Sequence, residues 1–416
     1  MRQRVPAWWK DTLAVRAGAN CHTNPRSAWS RSFGANAIFG LTGHGCAWSR
    51  FTFPTRHPRA LKRLAIDMTA RIHFRGPPRY RLRSAAELSQ SILEASARRA
   101  LKGPRLPGWS WFVELATQGL KRQTLAAFQM SDVKEARRYL DSVVISSPAL
   151  SEVSITPVVQ QKFRGSWFTG KNSAGQNTEP RVSVLYFHGG GYSFYPQAYA
   201  NLIALITQAA KSRTFALDYR LSPEHRFPVQ LEDALNAYRW LLGGGTDPDR
   251  LILAGDSAGG NLTLALLLAA RESKLPLPAL AIALSPAIDF EADLTGKGEF
   301  DWIEKRMLEQ WAEWFCDSAE RRHPLVSPIW ADLRGLPPIY IQAGRAEILY
   351  ASIQAFADRA KKQGADVVLE TWEDMTHDFQ MFGLDSPQSA EALQRIGQVI
   401  DGRVRGQKNK METVRL

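Results

Sequence analysis

The chain has 416 residues, 44% hydrophobic and 22% charged, an ordinary globular composition with room for one large domain or two small ones. Its net charge of +13 is confined to one end: residues 1–83 hold 16 Lys/Arg and 2 Asp/Glu, and the remaining 333 residues hold 37 and 38. The bulk of the chain is therefore neutral and lacks the basic footprint of a nucleic-acid binder.

Residues 1–83 are rich in Arg, Trp, Ser, Gly and His and carry no sustained periodicity. They read as a basic leader, disordered or not native. Three origins stand open. A translated upstream region ahead of a start at Met68 is favoured over an Arg-rich targeting segment and over a basic tail drawn to anionic surfaces. Trp8, Trp9, Trp29 and Trp48 could stack on bases, but no nucleic-acid motif organises them.

From Ser84 the pattern becomes helical. Ala85–Leu101 places Leu88, Ile92, Leu93 and Ala97 at helical spacing, Pro104–Gly108 interrupts, and Trp109–Leu125 resumes with Trp109, Phe112, Val113, Leu115, Ala116 and Leu120. Residues 84–147 are expected to be helices that cover an active site. Strand-like segments Val153–Val159 and Lys162–Phe168 follow, then a polar loop over Gly170–Pro180.

Val182–Phe187 begins a regular alternation. The further strands are Arg213–Asp218, Leu251–Ala254, Ala279–Leu284, Ile339–Gln342 and Val367–Trp372, with helices starting near Gln197, Val229, Ser257, Glu304 and Ala351. Continuous apolar strands alternating with helices predict an α/β fold: a mostly parallel central sheet covered by helices on both faces. Residues 148–402 form this domain. The stretch 287–330, with Trp302, Trp311, Trp314 and Phe315, is too long for a connection. Residues 403–416 read as a frayed basic tail.

The chemistry is concentrated in short motifs. Gly255-Asp256-Ser257-Ala258-Gly259 lies between an apolar strand and an apolar helix. That context lifts a serine Oγ to the top of a sheet, at a helix N-terminus, through a turn in which side chains at the glycine positions would clash. His188-Gly189-Gly190-Gly191 follows a core strand, where glycine N–H groups are free to face a developing oxyanion. By contrast, Gly243–Gly245 reads as a plain turn.

Together with Asp218-Tyr219-Arg220-Leu221-Ser222-Pro223-Glu224, Phe227-Pro228, Leu284-Ser285-Pro286 and the His377 region, these motifs resemble the hormone-sensitive-lipase-like branch of the α/β-hydrolases over roughly residues 150–400. The resemblance implies a carboxylesterase of the α/β-hydrolase fold with a helical cap built from 84–147 and 287–330. It also implies esters of short to medium acyl chain, or lactones, as substrates.

A serine hydroxyl needs a base, and the base needs an orienting group, in the chain order serine, acid, histidine. His377, just after the last strand, is the expected base, whereas His188 is expected to shape the oxyanion turn. The acid is where the chain departs from its relatives. Ala346 occupies the usual aspartate position, and Glu347 beside it is the first choice, its extra methylene compensating for the offset. Asp374 and Asp378 are rivals on the histidine's own loop. Ala258 and two of Gly189, Gly190 and Gly191 are the expected oxyanion donors, while Asp256 and Glu224 are read as loop holders.

The resulting expectation is a serine hydrolase acting on a small-molecule ester, with no cofactor, metal or nucleic acid and with a homodimer as the candidate assembly. Two alternatives remain: a weakened receptor of the same fold, and an amidase or peptidase using the same residues. Cys21, Cys46 and Cys316 have neither disulfide nor metal-ligand spacing, which suits the cytoplasm. No run of about 18 apolar residues suggests a membrane span.

Overall fold

A computed structural model describes residues 71–172, 174–294 and 298–406. Strand β1 (Arg71–Phe74) pairs antiparallel with β2 (Val143–Ser146). Between them run α1 (Pro78–Lys102), α2 (Trp111–Phe128) and α3 (Val133–Leu140). Pro78 suits the first turn of α1, where its missing N–H costs nothing. Ser110 and Asp132 cap the next two helices, their side chains accepting from the N–H groups of Val113 and Lys134.

The central layer is an eight-stranded sheet. Its strands in chain order are β3 (Val153–Val159), β4 (Arg164–Gly170), β5 (Val182–Phe187), β6 (Ser212–Leu217), β7 (Leu251–Asp256), β8 (Leu280–Leu284), β9 (Ile339–Gly344) and β10 (Val367–Trp372). In space the order is β10-β9-β8-β7-β5-β6-β4-β3. The six from β10 to β6 pair in parallel, and β4 and β3 add an antiparallel edge. β5, β7, β8, β9 and β10 are buried at every position. This is why they read as unbroken apolar runs: a strand covered on both faces has no solvent side to alternate with. Helices α4 (Tyr199–Ala209), α5 (Val229–Gly243), α6 (Ala258–Glu272), α7 (Lys305–Phe315), α8 (Tyr350–Lys362) and α9 (Pro387–Val404) complete the alternation.

Among the boundaries that differ from expectation, three stand out. The second edge strand is Arg164–Gly170, two residues later than 162–168. Gln160 N–H bonds to Phe163 O, so Lys162 and Phe163 belong to the hairpin turn, and pairing from Val159↔Arg164 to Val153↔Gly170 sets the register. The tail begins later too, because α9 continues to Val404.

The third difference concerns the leader, which does not extend to residue 83. β1 and the first turns of α1 lie within it, and Tyr80 is 3% exposed with its hydroxyl donating to Glu135 Oε1 at 3.0 Å. The arginines that crowd this turn hide its inward face from a periodicity reading. The leader expectations for residues 1–70, and the tail from 407, lie outside the described residues.

Residues 71–83 should therefore matter for stability. A chain starting at Met68 keeps every described element, and one starting at Ser84 loses Tyr80, an aromatic whose burial is worth about 3 kcal/mol or more. The shorter chain should melt several degrees lower by circular dichroism. Equal melting temperatures would show that these residues contribute nothing.

Candidate active site

The site begins at the end of β7. Ser257 adopts φ 53°, ψ −116°, a backbone conformation that costs of order 1–3 kcal/mol in a residue with a side chain. Its surroundings leave it no alternative. Ser257 N–H donates to Leu284 O at 2.8 Å, and its carbonyl accepts from Asn261 and Ala287 N–H at 3.0 and 3.1 Å. A methyl on Gly259 would lie 1.9 Å from Phe187 O, and one on Gly255 would lie 2.4 Å from Gly259 O. Only glycine fits between the turn and the end of β5.

His377 comes from the loop after β10 and is fully buried, its Nε2 lying 2.9 Å from Ser257 Oγ. That loop packs on the loop after β9: Ala346 N–H donates to Met375 O at 3.0 Å, and a side chain at Gly344 would strike Met375 O. Ser285, at the end of β8, donates from Oγ to Glu347 Oε2 at 2.6 Å and accepts from Asp378 N–H at 3.1 Å. Glu347 Oε2 also takes the Gly344 N–H at 3.1 Å.

The rival acids separate clearly. Asp374 binds the N-terminal helices: its carboxylate accepts from Gly108 N–H at 2.5 Å and its carbonyl accepts from the Trp109 indole. Asp378 is buried and places Oδ2 3.3 Å from His377 Nε2, the nitrogen that also faces Ser257. Glu347 is buried beside the imidazole. Its Oε1 and His377 Nδ1 both lack a hydrogen-bond partner among the described residues. The two are thus not in direct hydrogen-bond contact, although Glu347 is close enough for their charges to influence each other.

Burial works to lower the His377 pKa, but the charges of Asp378, Glu347 and Asp301 outweigh it and raise it to about 9. Burial raises the Glu347 carboxyl to about 8 against the pull of His377 and the Ser285 hydroxyl. Asp256, fully buried, is pushed well above the ordinary carboxylate range by burial and by Asp378, while the Tyr186 hydroxyl donates to its Oδ1 at 2.5 Å.

The glycine turn is equally constrained. His188 is sandwiched between Tyr195 and Tyr219, with ring centroids at 3.6 and 4.1 Å and nearly parallel planes. Burial lowers its pKa to about 3, so it is neutral, and Tyr219 OH donates to its carbonyl at 2.7 Å. Gly190 and Gly191 have φ of 88° and 60°, and Gly190 O accepts the N–H groups of Ser193 and Phe194. Gly189 packs against Asp256, where an added methyl would lie 2.2 Å from the carboxylate. Gly191 lies flat against Trp311, where an added methyl would be 2.3 Å from the ring. Arg137 of α3 ties this turn to the next loop, donating to Ser193 O, Ser222 O and both Glu224 oxygens at 2.7–2.8 Å.

A model of the alpha/beta hydrolase fold family matches residues 184–381. An acetyl-hydrolase of Streptomyces hygroscopicus is 38% identical over 52% of this chain and 74% of its own length. An esterase of Acinetobacter venetianus is 31% identical over 63% of this chain and 86% of its own. The crystal structure of an esterase from the bacterial hormone-sensitive lipase family superposes with a TM-score of 0.65 at 32% identity, covering 71% of this chain and 99% of that one. The chain is an esterase of the hormone-sensitive-lipase family.

In this esterase a cavity of about 200 Å³ opens over Ser257, bordered by Gly191, Ala258, Phe290, Leu308 and Trp311. Both segments expected to form a cap contribute near it: Phe128 of α2 packs edge-on against Trp311 of α7. Sequence reasoning missed Ser285 as a link between the Glu347 and His377 loops, gave Trp302 only a place in the cap stretch, and missed Asp301 entirely. Ser285 lay in a quoted motif without a role. Asp301 sits in no motif, and only the fold brings it to His377.

Four acids around one imidazole should be visible in its titration. The His377 ring, followed by NMR, should hold its proton to about pH 9, above the ordinary 6.5. Asp378→Asn, which removes the largest charge raising it, should bring the midpoint down. An unmoved midpoint in that variant would contradict the assignment.

Proposed function

We propose that this esterase cleaves carboxylic esters of short to medium acyl chain, or lactones, through an acyl-enzyme on Ser257. In its neutral form, populated as pH rises toward about 9, His377 Nε2 takes the Ser257 proton as Oγ attacks the ester carbonyl, then delivers it to the departing alcohol. A water activated by the same nitrogen returns the serine and releases the acid. Glu347 orients the imidazole from the Nδ1 side and stabilises its cation. The observation that carries this reading is the 2.9 Å approach of His377 Nε2 to Ser257 Oγ at the floor of an apolar-walled cavity.

The N–H groups of Ala258 and of two of Gly189, Gly190 and Gly191 are the oxyanion donors. Each such donor is worth about 3–4 kcal/mol in the transition state. The small cavity and the acetyl-hydrolase name of the Streptomyces relative both favour short acyl groups. In support of Glu347, its buried carboxylate lies close enough to His377 for their charges to interact, and His377 Nδ1 has no partner among the described residues, whereas Asp378 meets the ring at Nε2. The lack of disulfide-like cysteine spacing favours a cytoplasmic site of action. No helix among the described residues is long and apolar enough to cross a membrane.

Ser257→Ala should abolish p-nitrophenyl butyrate hydrolysis and fluorophosphonate labelling, and undiminished turnover would sink the proposal. Glu347→Ala should cut kcat by about 10³- to 10⁴-fold. If Asp378→Asn causes the larger loss and Glu347→Ala almost none, the acid is Asp378. Matched amide and ester substrates separate an esterase from an amidase.

A further inference from the structure

We propose that Asp301 is a positioning residue for this reaction: from the segment between β8 and α7 it fastens the histidine loop and the Glu347 loop to one carboxylate, and Trp302 completes the hold. This rests on the reading of Ser257 and His377 given above. Asp301 is 1% exposed. Its Oδ1 accepts from His377 N–H at 3.1 Å and from Trp302 N–H at 2.8 Å, and its Oδ2 accepts from Ile348 N–H at 2.8 Å. The Trp302 indole N–H donates to His377 O at 2.7 Å, so both backbone polar groups of His377 are held by two consecutive residues of one segment.

The segment itself is seated closely. Asp301 N–H donates to Gly298 O at 3.0 Å, and Gly298 has φ +69° with room only for hydrogen, since a methyl there would lie 2.6 Å from Ile348 Cβ. Lys121 of α2 pairs with Glu304 at 3.3 Å, linking the N-terminal helices to the same segment.

A buried carboxylate is costly unless its charge is used. A neutral Asn has one acceptor oxygen and would turn an N–H toward Ile348 or His377, so three backbone donors on three elements need a carboxylate. The charge also faces the imidazole. The other acids around His377 are Asp378 on its own loop, Glu347 after β9 and Asp256 on the serine turn, and Asp301 adds to the field that favours its protonated form. That form develops as Ser257 loses its proton. Asp301 touches neither the ring nor the cavity, so it acts through backbone placement and charge.

The test compares Asp301→Asn, Asp301→Glu and Trp302→Phe with the parent full-length enzyme on p-nitrophenyl butyrate, with Ser257→Ala as control. Asp301→Asn should lower kcat about 10- to 100-fold with little change in KM, as expected for a misplaced base. It should also move the acid limb of kcat/KM to lower pH, because a negative charge near His377 is gone. Asp301→Glu should restore the position of that limb in part. Trp302→Phe should lower kcat and leave the limb in place.

A folded Asp301→Asn enzyme with parental kcat and an unmoved acid limb overturns the proposal. A loss of kcat whose acid limb does not move makes Asp301 merely structural and overturns it as well. If Asp301→Asn does not fold, Trp302→Phe decides, and parental kcat there overturns it. Residual turnover in Ser257→Ala would instead mean that the underlying site reading had failed.

Discussion

Everything at the site hangs on the closeness of the Ser257 turn to the end of β5. Gly259 approaches Phe187 O so nearly that no side chain fits, and Ser257 is held at φ 53° by bonds to Leu284 O and from Asn261 and Ala287 N–H. This contact does two things. It points Oγ outward at the N-terminus of α6, and it sets the serine turn beside the glycine turn that continues from β5. The strain is sustained because the strands on either side, β5 and β8, are buried throughout and cannot yield. The serine turn and the glycine turn are thus placed by one packing constraint.

A second layer of organisation is electrostatic. Glu347, Asp378, Asp301 and Asp256 surround one imidazole in a water-poor interior, and all but Asp378 are held by backbone or hydroxyl donors. Such a cluster titrates as a unit, and the negative field lowers the cost of the cation that forms when Ser257 is deprotonated. His188 is the counterexample: stacked between two tyrosines with no carboxylate to favour its charge, it is kept neutral and serves as a rigid plate under the glycine turn.

The parts of this arrangement that depend on local sequence were legible in it. Val153–Val159, Val182–Phe187 and Val367–Trp372 were read with the bounds they have, because apolar runs with sharp polar or glycine ends leave little choice. Ser257, His377 and His188–Gly191, each read from a short motif, lie at strand ends, and the structure brings Ser257 and His377 within 2.9 Å of each other. What was not legible is long-range. The register of β4 is fixed by a turn whose hydrogen bond involves Phe163, an apolar residue that looks like strand. The start of α1 is masked by arginines around Tyr80. Asp301 reaches His377 across 76 residues of chain, and Ser285 reaches Glu347 across 62. The offset at Ala346–Glu347 was visible in the sequence, but the depth of the glutamate carboxylate was not.

The contact between Gly191 and Trp311 has a consequence for how this enzyme can diversify. The indole is both a wall of the cavity over Ser257 and the surface that backs Gly191. Enlarging the cavity by trimming that ring removes the support behind the glycine turn, so cavity size and turn geometry are tied at one position. A lineage selecting for bulkier acids would first need a compensating residue elsewhere, with Phe128 and Phe194, which flank the same ring, as the nearest places to recruit one.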